Sequence, residues 1–309
     1  MNLKLILGVS FLFFFSNSKD SSPNKVKNLV EKYIRKKVKN PDSYKAIFFS
    51  SIDTTHPEIY KDSLLKDFKP NYKYSIDHIY EIENSDKEKI KMTVTFYLDS
   101  SLTITESSPQ SLNGDYGQLS GNVYWKYNNF IGNKPDAGSK ITMYSLDTLR
   151  KEVFYETTCD VTGNFKLEKV LPGEYLLVVN SKNTTNSPAE HLDELRTYSY
   201  EISELFDYNI YKENESELNE YNTLDSIYNA TQYRYYSKTS DYLKSYEQNK
   251  KLENQKMNMA EKIIEKIPLN IRSKIGLYSS YSNKIDLSNI TIDENKTTNK
   301  IIDFGITYF

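Results

Sequence analysis

The chain of 309 residues contains one cysteine, one tryptophan and three histidines. Glycine is scarce and unevenly placed: seven of the ten lie between Gly114 and Gly173, and none follows until Gly276. Each scarcity removes a class of explanation. Cys159 alone forms no intrachain disulfide, so it is read as a small buried hydrophobe and the fold must be held by its cores. His191 and Glu194 fit the spacing H-x-x-E, but no histidine follows them, and H-E-x-x-H is absent. His56 and His78 both lie upstream, and His78 falls on the apolar side of an alternating run. The phosphate-loop pattern and G-x-S-x-G are missing too. No catalytic residue, metal or cofactor is expected, and the protein is read as non-enzymatic. A formal net charge of −2 gives no global pull towards nucleic acid or membrane, so neither is expected as a partner.

Long apolar runs are also lacking. The stretch Leu5–Phe15 is eleven residues, and a membrane span needs about 20. Lys4 precedes it and Ser16-Asn17-Ser18 follows, which is the order of an export signal cleaved after Ser18. The expected mature chain starts at Lys19, is exported to the periplasm, cell surface or medium, and has no transmembrane span.

What the chain does have is a punctuated β pattern. It reads G-N-V-Y-W at 121–125, K-P-D-A-G-S-K-I at 134–141, D-V-T-G-N-F at 160–165 and L-P-G-E-Y at 171–175. Pro172-Gly173 suits a type II turn, and Asp160–Gly163 reads as a hairpin connection between apolar-alternating runs. This order of G-x-V, P-x-A-G, G-N-F and P-G-E-Y-L-L-V resembles the carboxypeptidase regulatory-like domain, over roughly residues 117–183. That resemblance implies a transthyretin-like (prealbumin-like) sandwich of seven strands. Five runs precede residue 186, and Ile285–Asp293 and Lys300–Phe309 resemble the two that would complete it. Related sandwiches in surface adhesins form lysine–asparagine crosslinks. Here Lys126 in the first strand would face Asp303 in the last, and no crosslink is expected.

The expected domains are therefore a signal peptide at 1–18, a small α+β unit at 19–110, the sandwich at 117–186 and 281–309, and a helical insertion at 187–280. In the first unit Val26, Leu29, Val30, Tyr33, Ile34 and Val38 recur at helical spacing. Tyr72–Ile82 and Ile90–Leu98 alternate around a polar turn at Asn84–Lys87, giving a helix on an antiparallel hairpin. With N-P-D-S-Y at 40–44 ahead of that hairpin, the segment resembles small uncharacterised bacterial envelope proteins. The outer face of its helix is basic and reads as solvated, with anionic lipid or an acidic partner as the alternative.

The insertion opens on the capping box Ser187-Pro188-Ala189-Glu190. Residues 187–225 hold 11 acidic and two basic residues, whereas 226–268 hold five and eight. Such a split suits an antiparallel helical hairpin. Tyr221, Tyr228, Tyr235 and Tyr242 repeat every seven residues, which places them on one helix face as a packing stripe, or as a stacking platform for a ligand. The reading is an exported envelope or secreted protein, α+β and multidomain, whose sandwich presents the helical segment to a protein or surface component. The alternative is a carbohydrate-binding protein or enzyme with an inter-domain cleft, in which Trp125 and nearby tyrosines stack on sugar rings.

Overall fold

The structure, a computed structural model, describes residues 23–54, 72–108, 111–127, 130–147, 154–235 and 242–306. Side chains at 108, 232–235 and 242–244 are not among those described. The expected signal segment at 1–18, His56 and Tyr308-Phe309 lie outside these residues.

Helix α1 (Pro23–Lys37) ends ahead of Pro41, which disfavours helical backbone at the residue before it. Val26, Val30, Ile34 and the following Val38 step by four residues and are all buried. They cover a five-stranded sheet: β1 (Lys45–Phe49), β2 (Asp53–Thr54), β3 (Tyr74–Glu83), β4 (Lys89–Leu98) and β5 (Ile104–Ser108). β3 and β4 are the expected hairpin, in register from Tyr74↔Leu98 to Glu83↔Lys89. The expectation of a hairpin alone was too small, because β1 and β2 pair with β3 on one side and β5 pairs with β4 on the other. β1 escaped notice because it does not alternate: four of its five residues are exposed. Leu112 also enters this core, so the unit runs past residue 110.

Among the described residues eight strands, where seven were expected, build the two facing sheets of the sandwich. They are β6 (Gly117–Lys126), β7 (Asn133–Pro135), β8 (Lys140–Ser145), β9 (Phe154–Thr158), β10 (Asn164–Val170), β11 (Gly173–Thr185), β12 (Asn283–Ile292) and β13 (Thr297–Ile306). The unforeseen strand is β7, three residues beside the end of β6. One sheet runs β10-β6-β13 with β7 on β6, and the other β12-β11-β8-β9. β13 lies parallel to β6, from Thr297↔Gln118 to Ile306↔Lys126. Leu119, Val123, Phe165, Leu167, Ile302 and Phe304 of the first sheet meet Ile141, Met143, Tyr175, Leu177 and Val179 of the second.

Two turn expectations change. Asp160–Gly163 joins strands of different sheets: Asp160 N donates to Asn164 O at 2.8 Å, after which β9 follows β8 and β10 follows β6. Gly173 sits at φ 154 and not at the roughly +80° of a type II turn. At Gly121, by contrast, only glycine fits. A Cβ there would lie 2.0 Å from Lys300 O and 2.6 Å from the Phe165 ring, so its absence lets three strands close up.

Between β11 and β12 the chain forms α2 (Pro188–Thr197), α3 (Ser199–Phe206), α4 (Ile210–Glu213), α5 (Glu215–Tyr235), α6 (Tyr242–Lys266) and α7 (Leu269–Lys274). The capping box starts α2: Ser187 N donates to Glu190 Oε2 at 2.8 Å and Glu190 N to Ser187 Oγ at 3.4 Å. Leu192, Leu195, Ile202, Ile263, Ile264 and Ile267 pack on Leu176 and Val178 of β11 and on Ile285 and Leu287 of β12. β11 is thus buried on both sides. α5 and α6 run antiparallel, since Glu217 pairs with Lys262 and Lys266 while Asp225 pairs with Lys256. The acidic-then-basic charge split is realised in these ion pairs, each a modest contribution. No helix among the described residues is long and apolar enough to cross a membrane.

Leu176→Ala and Leu177→Ala should each cost about 2–5 kcal/mol in denaturant melts, although the two side chains point to opposite layers. A cost below about 0.5 kcal/mol for Leu176→Ala would mean that the helices do not pack on this sheet.

Candidate functional site

The inward side chains of the β10-β6-β13 sheet are Leu119, Val123, Phe165, Leu167 and Ile302, so alternate positions face out. Ser120 and Asn122 of β6, Asn164 and Lys166 of β10, and Asn299 and Ile301 of β13 line an open cleft of about 720 Å³ on this face. Gly121 lies on its floor. Asn122 Nδ2 donates to Asn164 Oδ1 at 2.9 Å and to Thr162 O at 3.2 Å, and Ser120 Oγ donates to Asn299 Oδ1 at 2.5 Å. The amides and hydroxyls placed side by side offer uncharged donors and acceptors, a set that suits hydroxyl-rich ligands, while Lys166, paired with Glu168, and Lys300 also line the cleft.

The carboxylate at the rim is committed elsewhere. Asp160 Oδ1 accepts from Thr162 Oγ1 (2.6 Å), Thr162 N (2.8 Å) and Asn164 N (3.0 Å), and the Thr162 hydroxyl leads the effects that lower its pKa. It locks the turn between the sheets. The run Asn122, Asn164 and Asn299 was missed in the sequence. Its signal is asparagine at outward positions of strands, which is legible only once strand parity and pairing are known.

The residues singled out from the sequence do not converge on this cleft. Trp125 has inward parity on β6 and packs against the sandwich core, with its ring 6.4 Å from Tyr127. The four tyrosines do not share one helix: α5 ends at Tyr235 and Tyr242 opens α6. Tyr221 is 1% exposed, between Arg196 at 5.9 Å and Lys256 at 5.4 Å, and burial pushes its hydroxyl up to about 12. Its ring therefore joins α2, α5 and α6 internally, while Tyr228 is half-buried under the same Lys256 at 5.8 Å. Lys126 and Asp303 do meet, as a partly exposed ion pair of 3.5 Å. Cys159 is buried, and burial first, then Asp136 and Asp160, pushes its thiol up to about 12.

His191 and Glu194 both fasten α2 to the sheet below. His191 Nε2 lies 3.4 Å from the carbonyl and the hydroxyl oxygens of Ser282, and Glu194 Oε1 accepts from Leu287 N at 2.7 Å. Burial lowers the pKa of the first and raises that of the second. Among the described residues no group of three or more histidine, cysteine, aspartate or glutamate side chains is placed to hold a metal ion.

His78 is enclosed in the N-terminal unit. Its Nδ1 faces Phe48 O at 2.7 Å, its Nε2 faces Tyr44 Oη at 2.8 Å, and the Phe49 ring stacks on it at 3.7 Å. One imidazole thus secures the edge strand β1, with Arg35 over Tyr44 and Lys27 over Phe49 as the nearby cations. Burial lowers its pKa to about 4.

A second polar cluster joins this unit to the sandwich. Asp115 is 3% exposed and accepts from Lys39 Nζ (2.6 Å), Ser85 N (2.7 Å), Ser85 Oγ (2.9 Å) and Asn295 Nδ2 (3.2 Å). Burial opposes its charge, but these donors prevail and hold the carboxyl at about 2. Lys169 of β10 pairs with Glu88 of the hairpin at 2.8 Å across the same junction.

No known protein family model matches the chain, and no curated protein does. Among solved structures it is similar to a proposed carbohydrate-binding protein of Pseudomonas aeruginosa, at 9% identity and a TM-score of 0.25 over 61% of this chain and 88% of that one. It is also similar to the minor pilin GBS52 of Streptococcus agalactiae, at 8% identity and a TM-score of 0.28 over 86% of this chain and 83% of that one. Neither superposes well enough to define a shared fold.

The buried imidazole sets a pH test. Between pH 6.5 and about 4 the unfolded chain holds the His78 proton and the folded chain does not, so stability is full above 6.5 and falls on acidification. The His78 share of the loss should reach about 3 kcal/mol near pH 4 and drop out in His78→Gln, leaving the share of His191, whose pKa burial also lowers. Asp115 acts lower, its contribution being present above pH 3.8 and lost as pH falls towards about 2. Chemical denaturation as a function of pH checks both; an unchanged slope between pH 6.5 and 4 in His78→Gln would contradict the assignment.

Proposed function

We infer that this chain is an exported, non-enzymatic envelope or secreted protein, in which a prealbumin-like sandwich related to carboxypeptidase regulatory-like domains presents a helical segment to another protein or a surface component. One observation carries this reading. Beyond Tyr221 on α5 and before Ala260 on α6, no described residue is buried. Met257 and Met259 still pack on the helical core, but past Asp225 on α5 and before Lys256 on α6 the two paired helices run on as an arm, ten and fourteen described residues long, or roughly 15–21 Å. Leu218, Tyr221, Ala260, Ile263 and Ile264 anchor its base in the helical core. A rigid arm stiffened by Asp225–Lys256 and left uncovered is a device for reaching a partner.

The amide-lined cleft favours a second reading, saccharide binding, and one experiment separates the two. Retention of added protein on washed cell envelopes is compared for the unaltered chain, a variant with residues 226–252 replaced by a short Gly/Ser loop, and Asn122→Ala/Asn299→Ala. Loss of retention on shortening the arm, with the double alanine variant unaffected, is expected. Retention that survives shortening but fails in the double alanine variant would replace the arm by the cleft.

A further inference from the structure

Two surfaces of opposite charge have no ion-pair partner among the described residues. Helix α1 turns its apolar stripe into the core, with Val26, Val30 and Ile34 buried and Leu29 and Tyr33 half-buried, so no fully exposed apolar face is left to insert into a bilayer. Its exposed ridge carries Lys25, Lys32 and Lys36. Its other cations are committed: Lys27 lies over Phe49, Lys37 over Tyr33 and Arg35 over Tyr44. Among the described residues none of the three ridge lysines forms an ion pair. The opposite charge lies on the helical layer, where Asp207, Glu213, Glu215 and Glu220 are exposed, with Lys212 among them and Lys262 and Lys266 of α6 held beside them by Glu217. They too form no ion pair among the described residues, whereas Glu217 and Asp225 beside them are neutralised by α6.

We propose that the ridge of α1 docks on the α3–α5 surface of a second copy of this chain, giving a head-to-tail contact. α1 belongs to the core of the N-terminal unit, and α3–α5 belong to the separate core on the outer side of β11 and β12. Because the two patches are different surfaces, the contact is heterologous. Each added copy leaves one basic and one acidic patch open, so assembly continues unless the geometry closes a ring. Exposed ion pairs are individually weak and strongly screened, so the association is concentration-dependent and falls steeply with salt. This inference uses no residue of the outer arm and does not rest on the arm's role in binding.

The test is analytical ultracentrifugation of the purified chain. The screening length shrinks from about 30 Å at 0.01 M salt to about 3 Å at 1 M. The expected result is an average mass that rises past that of a dimer with concentration at low salt, and a monomer at high salt. Lys25→Gln/Lys32→Gln/Lys36→Gln and Glu213→Gln/Glu215→Gln/Glu220→Gln should each weaken association about tenfold or more while leaving the circular dichroism unchanged. Mixed together, the two variants keep one intact patch of each sign and should pair but stop at a dimer. A chain that stays monomeric at low salt, association that survives either neutralisation, or association that strengthens with salt would overturn the proposal.

Discussion

β11 buries both faces, and the rest of the structure is arranged around that strand. Tyr175, Leu177 and Val179 point into the sandwich, while Leu176 and Val178 point into the helices. An unbroken apolar run of this kind is stable only when both sides are covered. Burying one such side chain contributes about 1.5–3 kcal/mol, so neither layer can be lifted away cheaply. β12 repeats the device, with Ile290 and Ile292 on one side and Ile285 and Leu287 on the other. The helices are therefore part of the core and not an ornament on a finished sandwich.

Polar contacts then fix the connections around that strand. Asp136, fully buried, accepts from Ser181 Oγ at 2.6 Å and from Asn183 N at 3.1 Å, where β11 leaves its ladder and heads for α2. At the other end of the helical layer Ile275 O accepts from Asn180 Nδ2 at 3.1 Å. Gly276 follows at φ 75, where a Cβ would strike that same asparagine at 1.8 Å. Entry to and exit from the helices are thus tied to one stretch of β11. Asp115 does the same for the N-terminal unit by drawing together Lys39, Ser85 and Asn295, residues far apart in the chain.

Elements with a local cause were legible in the sequence. The four-residue stripe of α1, the alternation of β3 and β4, the capping box at Ser187 and the strand runs of β6, β8, β10 and β11 needed only periodicity and turn chemistry. Features with a distant cause were not. The Asp160 turn looks like a hairpin locally, and only pairing with β8 and β6 sends its two strands into different sheets. The parallel placement of β13 depends on the close approach to Gly121. The tyrosine heptad continues in sequence past the end of α5 and so implied a single helix. The cleft asparagines, Asp115 and Asp136 gave no local sign, because their partners lie on other strands or in other units. β1 was hidden because His78, some thirty residues away, holds it in place of an apolar stripe.

Amide hydrogen exchange followed residue by residue tests the central claim most directly. If β11 is the shared wall of two cores, the amides of Leu176, Leu177, Val178 and Val179 should exchange only through global unfolding, with protection equal to the full stability measured by denaturant. Residues of α2 and α6 that pack on Leu176 and Val178 should open in the same cooperative unit. Exchange of the Leu192 and Ile263 amides at a free energy well below that of Leu177 would mean that the helical layer opens without the sandwich, and would contradict the account.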